Sequence, residues 1–383
     1  MAQLFESDFQ GSGSSATTGP SKREDLADYI SLIDAKDTPF SSMAPKGKDL
    51  GNMYHRWSAD SYEAANTEGF KDGQNAVDTA HASIGVVESG ASVTHGPTGQ
   101  AAYAPLVMNH ARNRDELANY AQYFRRATKV SPLAAEVTNP VGGKNLLAQG
   151  VAKKTVELKR DMEKTFLSNN SPVKETGSVP YKTRGMGGWI NNDPSGAAPA
   201  GDADIPSTLY TPATSIFDVS AGTGTELLTE DAIQTVLESI YDVTGTVRSY
   251  DLICGAKIKR GFTNLTSTNT TAALVDAEDT GYNATKVRTF NQELGSSTFK
   301  NTITVFEGDF GTLNIHVDNF TPNNQTGYII PLEMTEIRYG MLPRVQDIPN
   351  SGSGEGRIIE ACASLVVKQP QGFGKFAANL ALG

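Results

Sequence analysis

The residues that could do chemistry in this chain are few, and their spacing does not gather them. Five histidines, His55, His81, His95, His110 and His316, show no HxxxH, HExxH or HxH pattern, the spacings that set two imidazoles on one ion. No metal site is expected. Cys254 and Cys362 lie in neither a CxxC nor a His-rich context, so buried thiols are expected rather than a disulfide or a metal centre. Acidic pairs such as Glu230 with Asp231, or Asp276 with Glu278, suit helix caps and surface charge better than the spacing of two glycosidase carboxylates across a sugar. There is no GxSxG nucleophile elbow and no GxxxxGK[ST] phosphate loop. The glycine runs at Gly185 to Gly188, Gly222 to Gly224 and Gly352 to Gly356 neither follow a clear strand nor open a helix, so they predict turns and not dinucleotide cradles. Asp309 in Gly308-Asp309-Phe310-Gly311 has the letters of a kinase metal-binding motif without the lysine strand, HRD loop or glycine-rich lid that would use it. The sequence thus predicts no catalytic residue, no cofactor and no enzyme.

Charge narrows the partners. Over 383 residues the net charge is −10, which argues against a general nucleic-acid binder, because phosphate affinity comes from an excess of Lys and Arg. The cations are nevertheless clustered: Arg112, Arg114, Arg125, Arg126, Lys129, Lys144, Lys153, Lys154, Lys159, Arg160 and Lys164 fall close together in sequence. Two readings fit this cluster. One is a solvated helix face with pairs such as Lys153 to Glu157 and Lys159 to Glu163. The other is a basic strip facing phosphate or an acidic neighbouring subunit. No apolar run reaches the roughly 18 residues a membrane helix needs, and the first residues, MAQLFESDFQGSG, lack the regions of a signal peptide. A cytoplasmic site of synthesis is expected.

The element that must position this cluster runs from Lys144 to Asn169. Leu147, Val151, Leu158, Met162 and Phe166 recur at helical spacing, charged residues fill the other side, and Asn169 to Pro172 end the pattern. Before it, residues 1 to about 20 are rich in Gly, Ser and Thr and predict a flexible arm. Ser21 with Glu24 forms a capping box for a short helix from Arg23 to Asp34, which ends before Thr38-Pro39-Phe40. Met53 to Tyr62 mixes aromatic and polar residues like one arm of an exposed ribbon. Gly69 to Gln100 carries two short alternating runs that predict a projecting two-stranded excursion. Asn119 to Ser131 alternates as a strand. A linker of Pro, Ala, Gly and Ser from Asn191 to Thr225 then separates an α/β pattern. That pattern has a helix opened by Thr229, strands at Asp251 to Gly255, Thr302 to Glu307, Gly311 to Val317 and Gly327 to Pro331, and a helix from Ala256 to Leu265. A last apolar run, Arg357 to Gln369, is expected to return beside the long helix.

This order resembles the major capsid proteins of tailed bacteriophages with the Hong Kong 97 (HK97) fold, and more narrowly the family of the SU10 major capsid protein. The residues that carry the resemblance are Thr38-Pro39-Phe40, Trp57-x-x-Asp60, Glu68-Gly69, Asn119-Tyr120-x-Gln122, Val130-Ser131, Glu157 to Glu163 on the long helix, Gly185 to Ile190, and Gly308 to Gly311. The resemblance implies an α+β fold in five parts: an N-terminal arm (1–45), an extended β-ribbon loop (46–118), a peripheral domain with a spine helix at 144–169 (119–225), an axial α/β domain (226–350), and a return strand with C-terminal tail (351–383). It implies a protein that assembles with itself into hexamers and pentamers forming an icosahedral shell around double-stranded DNA, with scaffold or decoration proteins as further candidate partners and no membrane. The virion capsid, made in the host bacterial cytoplasm, is the expected location. Pro39, Phe40, Tyr54, Trp57, Asp60, Lys153, Lys154 and Arg160 are the candidate contacts between subunits, with Trp57 as the anchor of the ribbon on a neighbour. An encapsulin-like compartment and a monomeric α/β binding protein are the alternatives.

Overall fold

The computed structural model describes residues 34, 36–60, 115–136, 145–190, 205–206, 209–219, 228–265, 290–293, 296–299, 303–349, 352 and 354–378. The expected arm helix from Arg23, the alternating runs between Gly69 and Gln100, and most of the linker from Asn191 lie outside the described residues.

Thr38-Pro39-Phe40 opens a short helix, α1 (Pro39–Met43), with proline in the first turn where a missing N–H costs nothing. Strand β1 (Tyr54–Ala59) pairs antiparallel with β2 (Asp115–Tyr120), in a register that sets Trp57 opposite Leu117. Buried Ala121 interrupts the run before β3 (Gln122–Val130), so the stretch predicted as one strand forms two. After the one-turn α2 (Pro132–Glu136) comes α3 (Leu146–Phe166), the spine helix, 21 residues and about 31 Å long. It is shorter than its predicted span because Asn145 caps the N-terminus, its side chain accepting from the Ala148 amide. At the other end Leu167 leaves helical geometry. A buried turn, α4 (Met186–Trp189), follows.

The remaining elements alternate between helix and strand: β4 (Ile216–Val219), α5 (Glu230–Thr244), β5 (Arg248–Cys254) and α6 (Ala256–Leu265). Thr229 caps α5 through the Ala232 amide, and Gly245, at φ 65°, closes it in the left-handed region that favours glycine. Strands β6 (Phe290–Glu293) and β7 (Ser296–Phe299) make a separate hairpin. Then come β8 (Val305–Gly308), β9 (Gly311–Val317), β10 (Thr326–Ile330), β11 (Thr335–Asp347), β12 (Glu355–Val367) and β13 (Gly374–Ala378). Gly308-Asp309-Phe310-Gly311 is the tight turn of the β8–β9 hairpin, and Phe310 packs on Tyr241.

Two sheets organise these elements. One has the order β11-β12-β3, all antiparallel. Its central strand β12 is buried almost throughout, which explains its near-continuous apolar run. Helix α3 covers it and β3, with Leu158, Met162 and Phe166 in the shared core. The other sheet is mixed, in the order β4-β13-β10-β5-β9-β8. Ile233, Val236, Leu237 and Ile240 of α5 lie with Leu252, Leu313 and Phe376 of the sheet in a second core. Tyr328 of β10 joins the two bodies, its hydroxyl donating to the Leu167 carbonyl at 3.1 Å, just past the end of α3.

Sheet membership shifts the expected divisions of the chain. Strand β11 falls within 226–350 but belongs with β12 and β3. Strand β4, within 119–225, and β13, within 351–383, belong to the six-stranded sheet. Strand pairing crosses these boundaries because the chain passes between the two sheets more than once.

Candidate functional site

The exposed side of α3 carries Lys153, Glu157, Arg160 and Lys164 at i, i+4, i+7 and i+11, a spacing that aligns them in one stripe. The charge pairs differ from those the spacing suggested. Glu157 accepts from Lys154 at 2.6 Å, and this hydrogen bond holds its carboxyl below the usual range. Glu163 is wholly buried and serves α1, its oxygens accepting from the Phe40 amide at 2.7 Å and the Ser41 amide at 2.8 Å, so it is no partner for exposed Lys159. Arg126 reaches over from β3 and grips both oxygens of Asp161 at 2.6 Å. Arg160 lies over the Phe320 ring and 3.9 Å from Asp34. Lys153 and Lys164 form no ion pair among the described residues. Between this side of α3 and residues 319–324 opens a cleft of about 840 Å³ with Arg126, Arg160 and Phe320 on its walls.

The candidate contacts around the arm and ribbon sort differently. Phe40 is completely buried, packed edge-on against Phe166 with ring centres 6.5 Å apart. Its side chain completes the chain's own core and is unavailable to a neighbour, a correction to its expected role; Pro39 is half-buried beside it. Trp57 likewise anchors its own chain. Its Nε1 donates to the Val367 carbonyl at 3.1 Å and its ring meets Trp189 at 5.4 Å, because β1 crosses the end of β12. The Tyr54 ring packs at a tilt against Tyr120, with centres 4.8 Å apart, and Arg56 covers it. Asp60 is exposed, its carbonyl accepting from Gln369.

Sequence reasoning missed the polar knot behind these aromatics. Asn119 is wholly buried. Its amide donates to the Leu365 carbonyl at 2.7 Å and to Thr183 at 3.1 Å, while its oxygen accepts from the Arg184 amide at 2.9 Å. Gln122 accepts from the Thr183 amide. Asn and Gln within an otherwise alternating strand were the available signal. His55 lies nearby, pushed down to about 4 by burial and by Arg338, so it is neutral at ordinary pH. The thiols are free and buried, and burial pushes Cys254 up to about 12. Among the described residues no three His, Cys, Asp or Glu side chains are placed to hold a metal ion.

The family model described as SU10 major capsid protein matches residues 8–381. The chain belongs to that family. Solved structures give the same answer for the fold. The capsid asymmetric unit of cyanophage A-1(L) is 12% identical and superposes with a TM-score of 0.60 over 94% of this chain and 97% of that one. The capsid of a native GTA particle, 11% identical, gives 0.53 over 96% and 99%. The capsid of cyanophage P-SCSP1u, 9% identical, gives 0.52 over 96% and 97%. No curated protein sequence matches the chain. The architecture is therefore the HK97-type capsid fold, and the protein is a capsid protein that associates with itself into a shell. On this capsid protein the exposed apolar side chains of the described residues include Leu342 and Val345 on the outer half of β11, Tyr123 on β3 and Leu133 on α2.

Proposed function

We propose that this capsid protein assembles as hexamers and pentamers into an icosahedral shell around double-stranded phage DNA, within the cytoplasm of a bacterial host, and that its role is structural and not enzymatic. The observation that carries this reading is the family match across residues 8–381, which leaves almost none of the chain for another purpose. On this reading the β11-β12-β3 sheet with α3 is the peripheral domain, the six-stranded sheet is the axial domain, and β1 with β2 is the root of the extended loop. A closed shell needs many copies of weak, self-complementary contacts, and elements that overlap neighbours supply them.

Recombinant protein examined by size exclusion and electron microscopy is expected to form megadalton shells or rings; a monomer at high concentration would overturn the proposal. Particles holding one copurifying protein and no nucleic acid would point instead to an encapsulin-like compartment. Removing residues 73–96 from the loop is expected to abolish closed shells, and normal shells from that variant would remove the loop from the contact set.

Lys153, Lys154 and Arg160 are assigned to the contact of α3 with an acidic neighbour or with DNA. Lys153 is the most available of the three, since Lys154 and Arg160 already have partners within the chain. Replacing all three with Gln is expected to weaken assembly and flatten its dependence on salt. An unchanged salt profile would make them ordinary surface charge.

A further inference from the structure

We propose that the cleft between α3 and residues 319–324 is the seat of this chain's own arm, residues 24–33, held there through its acidic side chains. Asp34 stands at the cleft wall, 3.9 Å from Arg160. The residues after it lead to α1, whose Phe40 and Ser41 amides are taken by Glu163, three residues further along the spine helix. Whatever precedes Asp34 therefore starts beside Arg160. A second copy carries the same segment, yet the arm of the same chain is tethered at the cleft, and the tether gives it the higher effective concentration. Docking of this kind lies within one chain and requires no shell.

The charges of segment and cleft are complementary. From Glu24 to Asp34 the sequence reads EDLADYISLID, with acids at Glu24, Asp25, Asp28 and Asp34 and neither Lys nor Arg among them. In the cleft, Arg126 is committed to both oxygens of Asp161, and Glu157 to Lys154. Arg160 and Lys164 are the cations that remain on its walls. Lys164 is exposed and forms no ion pair among the described residues, while Arg160 has the long contact to Asp34 and the face of Phe320. Two cations so little compensated, on one wall of a groove, attract a run of carboxylates. An arm seated here screens Arg160, which agrees with Lys153 being the most available cation of the stripe.

The shapes agree as well. At helical spacing Leu26, Tyr29, Ile30 and Ile33 fall on one side of the segment, and Glu24, Asp25 and Asp28 fall on the other. The cleft has two unlike walls, with Arg160 and Lys164 on α3 and Phe320 and Pro322 on the opposing loop. A segment with one acidic and one apolar side satisfies both walls at once. From Glu157 to the helix end at Phe166 the α3 wall extends about 14 Å, and ten helical residues span about 15 Å. A helix of that length is marginal in water by itself, so ordering of the segment and its docking are expected to go together.

Amide hydrogen exchange of the unassembled full-length protein tests this. The amides of residues 26–33 are expected to exchange at least about tenfold more slowly than their intrinsic rates. Arg160→Gln combined with Lys164→Gln is expected to lower that protection by about three- to tenfold, the loss of two partly exposed ion pairs. Protection across α5, read in the same spectra, should stay constant and shows that the variant is folded. Lys174→Gln, an exposed cation away from the cleft, is expected to leave the arm's protection unchanged. Amides 26–33 that exchange at intrinsic rates in the unmodified protein overturn the proposal, and so does full protection in the double variant or an equal loss in Lys174→Gln. Protection that rises with protein concentration assigns the cleft to the arm of a second copy and overturns it equally.

Discussion

Gly185→Ala is expected to lower the unfolding free energy by on the order of 3 kcal/mol, at the upper end of what overpacking costs. A Cβ at this position would sit 2.2 Å from the Ser168 carbonyl oxygen and 2.9 Å from the Ser168 carbonyl carbon. Those are backbone atoms at the end of the spine helix, so no rotamer change relieves the clash. The backbone at Gly185 is extended, with φ −85°, and its need for glycine is therefore one of space and not of torsion. The close approach matters because Gly185 also launches α4. Its carbonyl accepts from the Gly188 and Trp189 amides, which sets Trp189 against Trp57 and beneath the Arg184 guanidinium. Pushing Gly185 away from Ser168 therefore moves the indole on which β1 rests. Gly177→Ala, where nothing lies within 4 Å of the added carbon, is the matched control and is expected to stay within about 0.5 kcal/mol. Urea unfolding of unassembled protein followed by tryptophan fluorescence measures both, and equal midpoints would show that the Gly185 site relaxes freely.

Much of this architecture was legible because it is written in local period. The spine helix, α5 and the apolar run of β12 announce themselves within a dozen or so residues, and burial follows their patterns. Strand β11 did not, since Gly340 and Pro343 interrupt it. In the fold both fall where its register with β12 shifts, on the outer half of an edge strand that tolerates a missing N–H. Phe40 and Trp57, read as contacts with a neighbour, serve their own chain for a different reason. Trp57 meets Val367 across a sequence separation of 310 residues, and Glu163 meets Phe40 across 123. In sequence a large aromatic in an arm looks like a hook for another molecule, and a glutamate four residues after a lysine looks like its partner. Only the path of the chain shows that the arm's Phe40 and the ribbon's Trp57 return to their own core. The resemblance to the capsid family, by contrast, was read from the order of short motifs along the chain and needed no long-range contact, and the family model matches residues 8–381.

Phe166→Ala is expected to cost about 3–5 kcal/mol, the range for deleting a fully buried aromatic. Phe166 is the last residue of α3 and is wholly buried, with Phe40 edge-on at 6.5 Å and Phe124 edge-on at 6.2 Å. One ring thus joins three pieces of chain: α1, the spine helix and β3. The loss should fall unequally on them. Strand β3 keeps its ladder with β12, whereas α1 is held to α3 chiefly by Phe40 and by the two amides on Glu163. In a double-mutant cycle, Phe40→Ala and Phe166→Ala are expected to couple by about 1 kcal/mol, as edge-to-face pairs do. Their combined cost should therefore be less than the sum of the single costs. Strict additivity in urea unfolding would mean that α1 docks through the Glu163 carboxylate alone, and hydrogen exchange at Phe40 and Ser41 would then be unaffected by Phe166→Ala.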